Sequence, residues 1–249
     1  MIDTHAHLYY REPELDELIN RAVTSGITHI INVGIDIETS LKSLEFSKKH
    51  PIILPTIGIH PGNCETFNNF DELEKLAQKY PFRAIGEIGL DYFKMYADKA
   101  TQKKAFIKQC EIAENLNLPI IIHNRQAEED MITILKAFPN IKKVFHCFGS
   151  KQSFIEAVYN NSSFFSFTGN CTYAKKGKTI SAIRTLPLNK IMIETDCPYL
   201  SPAAYKGKKN EPAFVIEVAK RIAEIKNISV DEVIKETSKT AMHFFNIKQ

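Results

Sequence analysis

Ile2-Asp3-Thr4-His5-Ala6-His7, at the start of the 249-residue chain, is a short run that ends on two histidines. Side chains two apart on a strand point to one face, so His5 and His7 aim together if the segment is extended. Neutral imidazole is the commonest protein ligand for divalent cations, and two imidazoles aimed at one point suit such an ion. The same kind of ending recurs along the chain. Apolar runs close on His60 (Thr56-Ile57-Gly58-Ile59-His60), on Glu87 (Ala84-Ile85-Gly86-Glu87) and on His123 (Ile120-Ile121-Ile122-His123). Others close on His146 (Val144-Phe145-His146) and Asp196 (Met192-Ile193-Glu194-Thr195-Asp196).

These endings belong to eight strand candidates, at 1–5, 28–33, 53–59, 83–88, 119–122, 142–146, 163–167 and 190–195. Helix candidates fall between them, near 13–25, 38–49, 70–79, 99–117, 126–137, 151–160 and 176–185, and two more follow at 211–226 and 230–245. Ala105, Phe106, Gln109, Ile112, Ala113 and Leu116 make a stripe at helical spacing in 99–117. Ser229 and Glu232 are spaced as a capping box for the last helix, and Asn210 is placed to cap the one before it. Strand–helix alternation of this kind predicts a parallel sheet, and at this length an α/β fold of the closed (β/α)8 TIM-barrel type, with 1–249 as a single domain. No Gly-x-Gly-x-x-Gly follows the first strand, which sets aside the doubly wound dinucleotide fold. In a barrel, the C-terminal ends of the strands share one rim, where active sites are built. Of the eight histidines, His5, His7, His60, His123 and His146 fall on that rim. His29, His50 and His243 are expected to be structural.

Composition narrows the class. A 44% apolar content supports a large core, and 24% charged residues is ordinary for a soluble protein. No run of eighteen apolar residues spans a membrane, and the first residues lack the basic and apolar regions of a secretory signal. Five cysteines without a Cys-x-x-Cys pair point to reduced thiols, hence a cytoplasmic protein. Net charge +3 is too mild to imply nucleic-acid binding by itself.

On the barrel reading, His5, His7, Glu87, His123, His146 and Asp196 converge as a metal site. Asp3 and Glu194 share the inward parity of His5 and Asp196 and are placed to support ligating imidazoles from beneath. Cys147 and Cys197 follow ligands immediately and are expected to point outward as small core hydrophobes.

Those residues, in that order, resemble the TatD family of metal-dependent deoxyribonucleases, amidohydrolase-like barrels. The resemblance runs from Met1 to about Phe245. It rests on Ile2-Asp3-Thr4-His5-Ala6-His7-Leu8, Gly58-Ile59-His60-Pro61 and Ala84-Ile85-Gly86-Glu87-Ile88-Gly89-Leu90-Asp91-Tyr92. It continues through Ile122-His123-Asn124-Arg125, Phe145-His146-Cys147-Phe148, Glu194-Thr195-Asp196-Cys197-Pro198-Tyr199-Leu200, Tyr205-Lys206-Gly207-Lys208 and Asn210-Glu211-Pro212. The chain departs from the family pattern at Gly62, where a histidine is frequent, and at Asn124 and Thr240, where serine and asparagine are commoner. None of these is a proposed ligand.

The resemblance implies that His5, His7, Glu87 and Asp196 hold one metal and that Glu87, His123 and His146 hold a second, with Glu87 bridging. Two cations roughly 3.5–4 Å apart are the arrangement of two-metal hydrolytic sites, and water on such an ion ionises near pH of about 7. Asp196 would orient that water and take its proton, so Asp196 and Glu87 are the catalytic candidates. The histidines favour Zn or Mn and the carboxylates admit Mg. For substrate, His60 is a contact or a support of the metal shell. Arg125, Lys175, Lys176, Lys178, Lys206, Lys208 and Lys209 all fall in rim loops, and Tyr92, Phe148, Tyr173, Tyr199 and Tyr205 are interleaved with them to stack on bases. The implied activity is hydrolysis of phosphodiester bonds in DNA, as an exonuclease on single-stranded or frayed ends, with DNA as partner and no obligate protein partner or membrane. Two other classes compete: hydrolysis of a small-molecule amide or ester, and a metal-stabilised nucleic-acid-binding scaffold without catalysis.

Overall fold

The computed structural model describes residues 1–248, which form eight strands and nine α-helices. The strands are β1 (Ile2–Ala6), β2 (His29–Asn32), β3 (Ile53–Pro55), β4 (Ile85–Asp91), β5 (Ile120–Arg125), β6 (Lys143–Phe145), β7 (Ser163–Phe167) and β8 (Ile191–Ile193). Every ladder is parallel, in the order β1-β2-β3 and β4-β5-β6-β7-β8. Single bridges join the two runs at Ile57–Ile85 and at Ala6–Cys197. At the second seam His7 N donates to Cys197 O (2.8 Å) and Asp196 N to His5 O (2.8 Å), so the sheet closes into the expected barrel.

The helices are α1 (Leu15–Thr24), α2 (Ile37–Lys49), α3 (Phe70–Lys79), α4 (Lys99–Leu116), α5 (Glu128–Leu135), α6 (Gln152–Val158), α7 (Lys178–Thr185), α8 (Val215–Lys226) and α9 (Val230–Phe244). Side-chain caps mark several of their starts. Asp36 accepts from Thr39 N and Asp98 from Thr101 N, each at 2.8 Å, and Ser229 Oγ accepts from Glu232 N at 3.1 Å. Such caps satisfy N–H groups that the first turn leaves unpaired. Asn210 does not cap α8, whose first turn is preceded by a 3-10 turn at Pro212–Phe214. Its amide instead donates to Thr195 O (2.8 Å) and Tyr199 O (2.6 Å), fastening both sides of Asp196.

Alternation along the strands sorts the core into two parts. Ile120 and Ile122 pack in the layer between sheet and helices, whereas Ile121, Val144, Phe164 and Met192 join an inner cluster with Phe244 and Phe245. The end of α9 therefore plugs the N-terminal end of the barrel. Two residues further along the same faces come His123, His146 and Glu194, at the opposite end. Sequence parity placed Asp3 with them, but the ladder shifts register between Asp3 and Ala6. Asp3 accepts instead from Thr195 N (2.9 Å) and Thr195 Oγ1 (2.6 Å) across the β1–β8 seam. No helix among the described residues is long and apolar enough to cross a membrane.

Candidate metal centre

Glu87 lies at the centre of the rim, 3% exposed, and its two carboxylate oxygens face different partners. Oε2 is 3.4 Å from His5 Nε2 and 3.7 Å from His7 Nε2. Asp196 Oδ1 completes this set, 3.8 Å from His5 Nε2 and 3.4 Å from His7 Nε2. Oε1 is 2.8 Å from His123 Nδ1, 2.9 Å from His146 Nε2 and 3.7 Å from His60 Nε2. All six predicted ligands thus meet in one place, in two sets that share Glu87.

The first set has the chemistry of a cation site. His7 Nδ1 sits 2.9 Å from Val33 O, an acceptor, so it carries the proton and leaves a lone pair on Nε2. That lone pair faces His5 Nε2 at 3.2 Å as well as the two carboxylate oxygens. Such a knot of acceptors is stable only around positive charge. Donors about 2.0–2.2 Å from a tetrahedral ion are roughly 3.4 Å from one another, close to the separations seen.

The second set shows a repeated support. His123 is held between Glu87 and Asp91, whose Oδ2 lies 3.2 Å from Nε2. His146 lies between Glu87 and Glu194, whose Oε1 is 3.3 Å from Nδ1 without hydrogen-bond geometry and accepts from Cys147 N at 2.7 Å. An outer carboxylate keeps the proton on the far nitrogen and frees the near one for a metal. Glu194 was expected beneath the site; Asp91 was not assigned a role. Its signal was the period of two from Glu87 along β4, which continues three residues past the expected end at 88. Gly89 permits that extension, because a Cβ there would lie 2.0 Å from His123 O.

Charge follows from this packing. Burial alone would push Glu87 up, but His146 and the bonds from His123 and His146 hold it well below the carboxylate range. Burial would lower His146, yet Glu87 and Glu194 carry it well above the imidazole range. Against its own burial, Asp91 is held down to about 2 by His123 and by the N–H groups of Lys94 and Phe93. His60 differs. Burial lowers it to about 4, so it is neutral, and its Nδ1 accepts from Gly62 N at 2.9 Å. Its Nε2 therefore bears a hydrogen and is aimed at Glu87 Oε1, and His60, Glu87 and His123 also lie close enough together to hold an ion.

Helix α4 steadies two of these positions by a device that the apolar stripe did not reveal. Gln109 accepts from Ile59 N (2.7 Å) and donates to Ile59 O (3.1 Å), beside His60. One turn pair earlier, Gln102 accepts from Asp91 N (2.8 Å) and donates to Asp91 O (3.1 Å). Gln126, Cys147, Asp196 and Leu200 all line the site with φ between 45° and 58°. Left-handed backbone costs non-glycine residues about 1–2 kcal/mol each, and such strain concentrates at functional sites. Cys147 lines the cavity, with its Sγ 3.6 Å from Thr168 Oγ1 and 3.9 Å from Asn170 Nδ2, whereas Cys197 is buried as expected.

The cavity over Glu87 measures about 700 Å³ and is lined by His7, Tyr10, His60, Asn124, Arg125 and Lys178, among others. The Arg125 guanidinium lies over the Phe93 ring, 4.0 Å from its centre. Tyr92 is outside the lining, its hydroxyl donating to Asp130 at 2.6 Å. Lys206, Lys208 and Lys209 are exposed on the loop after β8 and also lie outside the lining. Phe148 is buried, and Tyr205 is stacked on Phe214 with ring centres 3.6 Å apart.

Comparison with known proteins agrees with this geometry. A sequence model of the family described as TatD related DNase matches residues 2–246. An uncharacterized metal-dependent hydrolase of Bacillus subtilis, YabD, is 35% identical over 99% of both chains. A 3'-5' ssDNA/RNA exonuclease TatD of Erwinia tasmaniensis is 29% identical over 93% of both. Among solved structures, the TatD homolog YjjV of Escherichia coli superposes with a TM-score of 0.92 at 25% identity, covering 100% of this chain and 98% of that one.

Proposed function

We propose, since the chain belongs to the TatD related DNase family of metal-dependent hydrolases, that it cleaves phosphodiester bonds in DNA as an exonuclease on single-stranded or frayed ends. The observation that carries this reading is the division of Glu87, one oxygen toward His5, His7 and Asp196 and the other toward His123 and His146. Two divalent cations held by these sets, Zn, Mn or Mg, would activate water and offset charge on the phosphoryl and leaving oxygens. Asp196 stays ionised, because His7 and the neighbouring imidazoles outweigh the burial that would raise it. It therefore accepts the proton of the attacking water. Neutral His60 donates its Nε2 hydrogen to a phosphate oxygen, and Arg125 and Lys178 hold phosphates further along the strand.

The test is hydrolysis of end-labelled single-stranded DNA by the purified protein, with chelator and after restoring Mn, Zn or Mg. Chelator should abolish product and a divalent ion should restore it. Glu87→Ala should lower bound metal after dialysis more than His146→Ala, because only Glu87 serves both sets. Chelator-resistant cleavage, or equal metal loss in the two variants, would overturn the reading. Metal binding without hydrolysis would leave the scaffold in its place.

A further inference from the structure

Few aromatic side chains of this protein are exposed, and the exposed ones are not scattered. Among the described residues the exposed aromatics are Tyr10, Phe93, Tyr96, Tyr159, Tyr173 and Tyr199. All but Tyr159 lie in loops that follow β1, β4, β7 and β8, on the rim that carries the metal centre. Exposed apolar surface concentrated in one place marks an interaction site rather than an accident of coverage.

Tyr10 and Tyr199 are placed closest to the chemistry. Both line the cavity with His7 and Asp196, and both keep about half their surface in solvent, 49% and 51%. Their ring centres are 5.9 Å apart, and each ring is within 6.4 Å of the His7 ring. The pair is held from behind. Tyr10 packs on Tyr9 at 4.7 Å, and the Tyr9 hydroxyl lies 2.7 Å from His7 Nδ1. Tyr199 N donates to Asp196 O at 2.9 Å, so its backbone rides on the turn that presents the Asp196 carboxylate. Across the mouth, at the end of β5, Arg125 lies on Phe93 and supplies the cationic side.

We infer that Tyr10 and Tyr199, whose ring planes cross at 71°, form an aromatic corner in which an unpaired nucleobase next to the scissile phosphate stacks on one ring and is flanked by the edge of the other; this rests on the phosphodiesterase reading above. Stacking on an aromatic face is open to every base and to a base with a free face, so the corner is tolerant of sequence. Bases inside a duplex have both faces covered by their neighbours. The tyrosines thus select single strands and frayed ends by a mechanism independent of the metals.

The test compares a short single-stranded oligonucleotide with an analogue abasic on both sides of the cleaved phosphodiester, and reads the ratio of their kcat/KM values. A stacked base contributes about tenfold or more, so the intact strand should be preferred by that factor. Tyr10→Ala with Tyr199→Ala should bring the ratio toward one, Tyr10→Phe with Tyr199→Phe should keep it, and Tyr159→Ala should not move it. In chelator, a terminal 2-aminopurine should be quenched on binding the native protein and the Phe pair but not the Ala pair. An unchanged ratio in the Ala pair, or equal loss on both substrates with quenching retained, overturns the aromatic corner. Failure of the native protein to cleave either strand overturns the phosphodiesterase reading instead, and the quenching still decides the corner.

Discussion

At the scale of the residue, the candidate metal centre is a set of imidazoles whose nitrogen atoms can take either a proton or a cation. The carboxylates of Asp196, Glu87 and Glu194 outweigh the burial that would lower His7, His123 and His146, with Asp91 joining at His123, so all three are raised. A raised imidazole stabilises the fold below its unfolded value of about 6.5 and loses that contribution as pH rises through its folded value. Glu87, lowered, adds stability above its unfolded value and loses it only as pH falls through the folded one. The chelated protein should therefore melt at progressively lower temperature as pH rises from about 6.5 through the neutral range. With Zn or Mn bound the trend should reverse, because cations need the imidazoles neutral and their binding releases protons. Thermal melts across that range, with and without chelator, check the sign. Parallel curves would mean that these histidines are not the ligands.

At the scale of the element, the two ends of the barrel have separate duties. The strand starts meet the Phe244 and Phe245 rings of α9, both 1% exposed, and Phe164 packs edge-on to Phe244 at 5.3 Å. The strand ends carry the candidate ligands. Truncating a buried phenylalanine costs about 3–5 kcal/mol through lost burial and the cavity left behind. Phe244→Ala should lower unfolding stability by that amount while metal content of the folded protein stays at the native level. Calorimetry alongside metal analysis separates the two, and loss of metal from folded protein would show that the plug and the centre are coupled. The strand limits that sequence could not place are those where polar ladder partners prolong or cut an apolar run. β4 extends to Asp91 because it stays paired with β5 as far as Arg125 while Gln102 braces the Asp91 backbone. β3 stops at Pro55, after which a bridge at Ile57 and the bond from Thr56 N to Asn32 O keep the chain in the sheet.

At the scale of the whole molecule, a net charge of +3 leaves the recognition of a polyanion to local placement. Lys206, Lys208 and Lys209 were expected to meet phosphates, yet the cations that line the cavity are Arg125 and Lys178. Each phosphate contact to a single strand contributes roughly −0.7 to the slope of log affinity against log salt. Arg125→Ala with Lys178→Ala should thus flatten the slope by about 1.4, and alanine at the three loop lysines should flatten it far less. Binding isotherms between about 50 and 200 mM salt measure both. If the loop lysines carry the larger slope, the strand runs over the loop after β8.

The sequence alone determined the parallel barrel and the six residues at its centre, because period-two alternation and strand-terminal histidines are local properties of the chain. His5 with His7, His123, His146 and Asp196 could each be read as the end of an apolar run without knowledge of any neighbour. What only the tertiary structure decided depends on who stands opposite. Asp3 turned from the metals to Thr195 because one register shift changes the face of everything before it. Asp91, Gln102 and Gln109 became supports only once strand and helix were side by side. Tyr92 and Tyr199 look alike in sequence, but Asp130 holds the first away from the cavity and the cavity leaves the second bare. A side chain's type sets what it can bond to; the partners that use up or spare that capacity come from distant parts of the chain, and only folding brings them within reach.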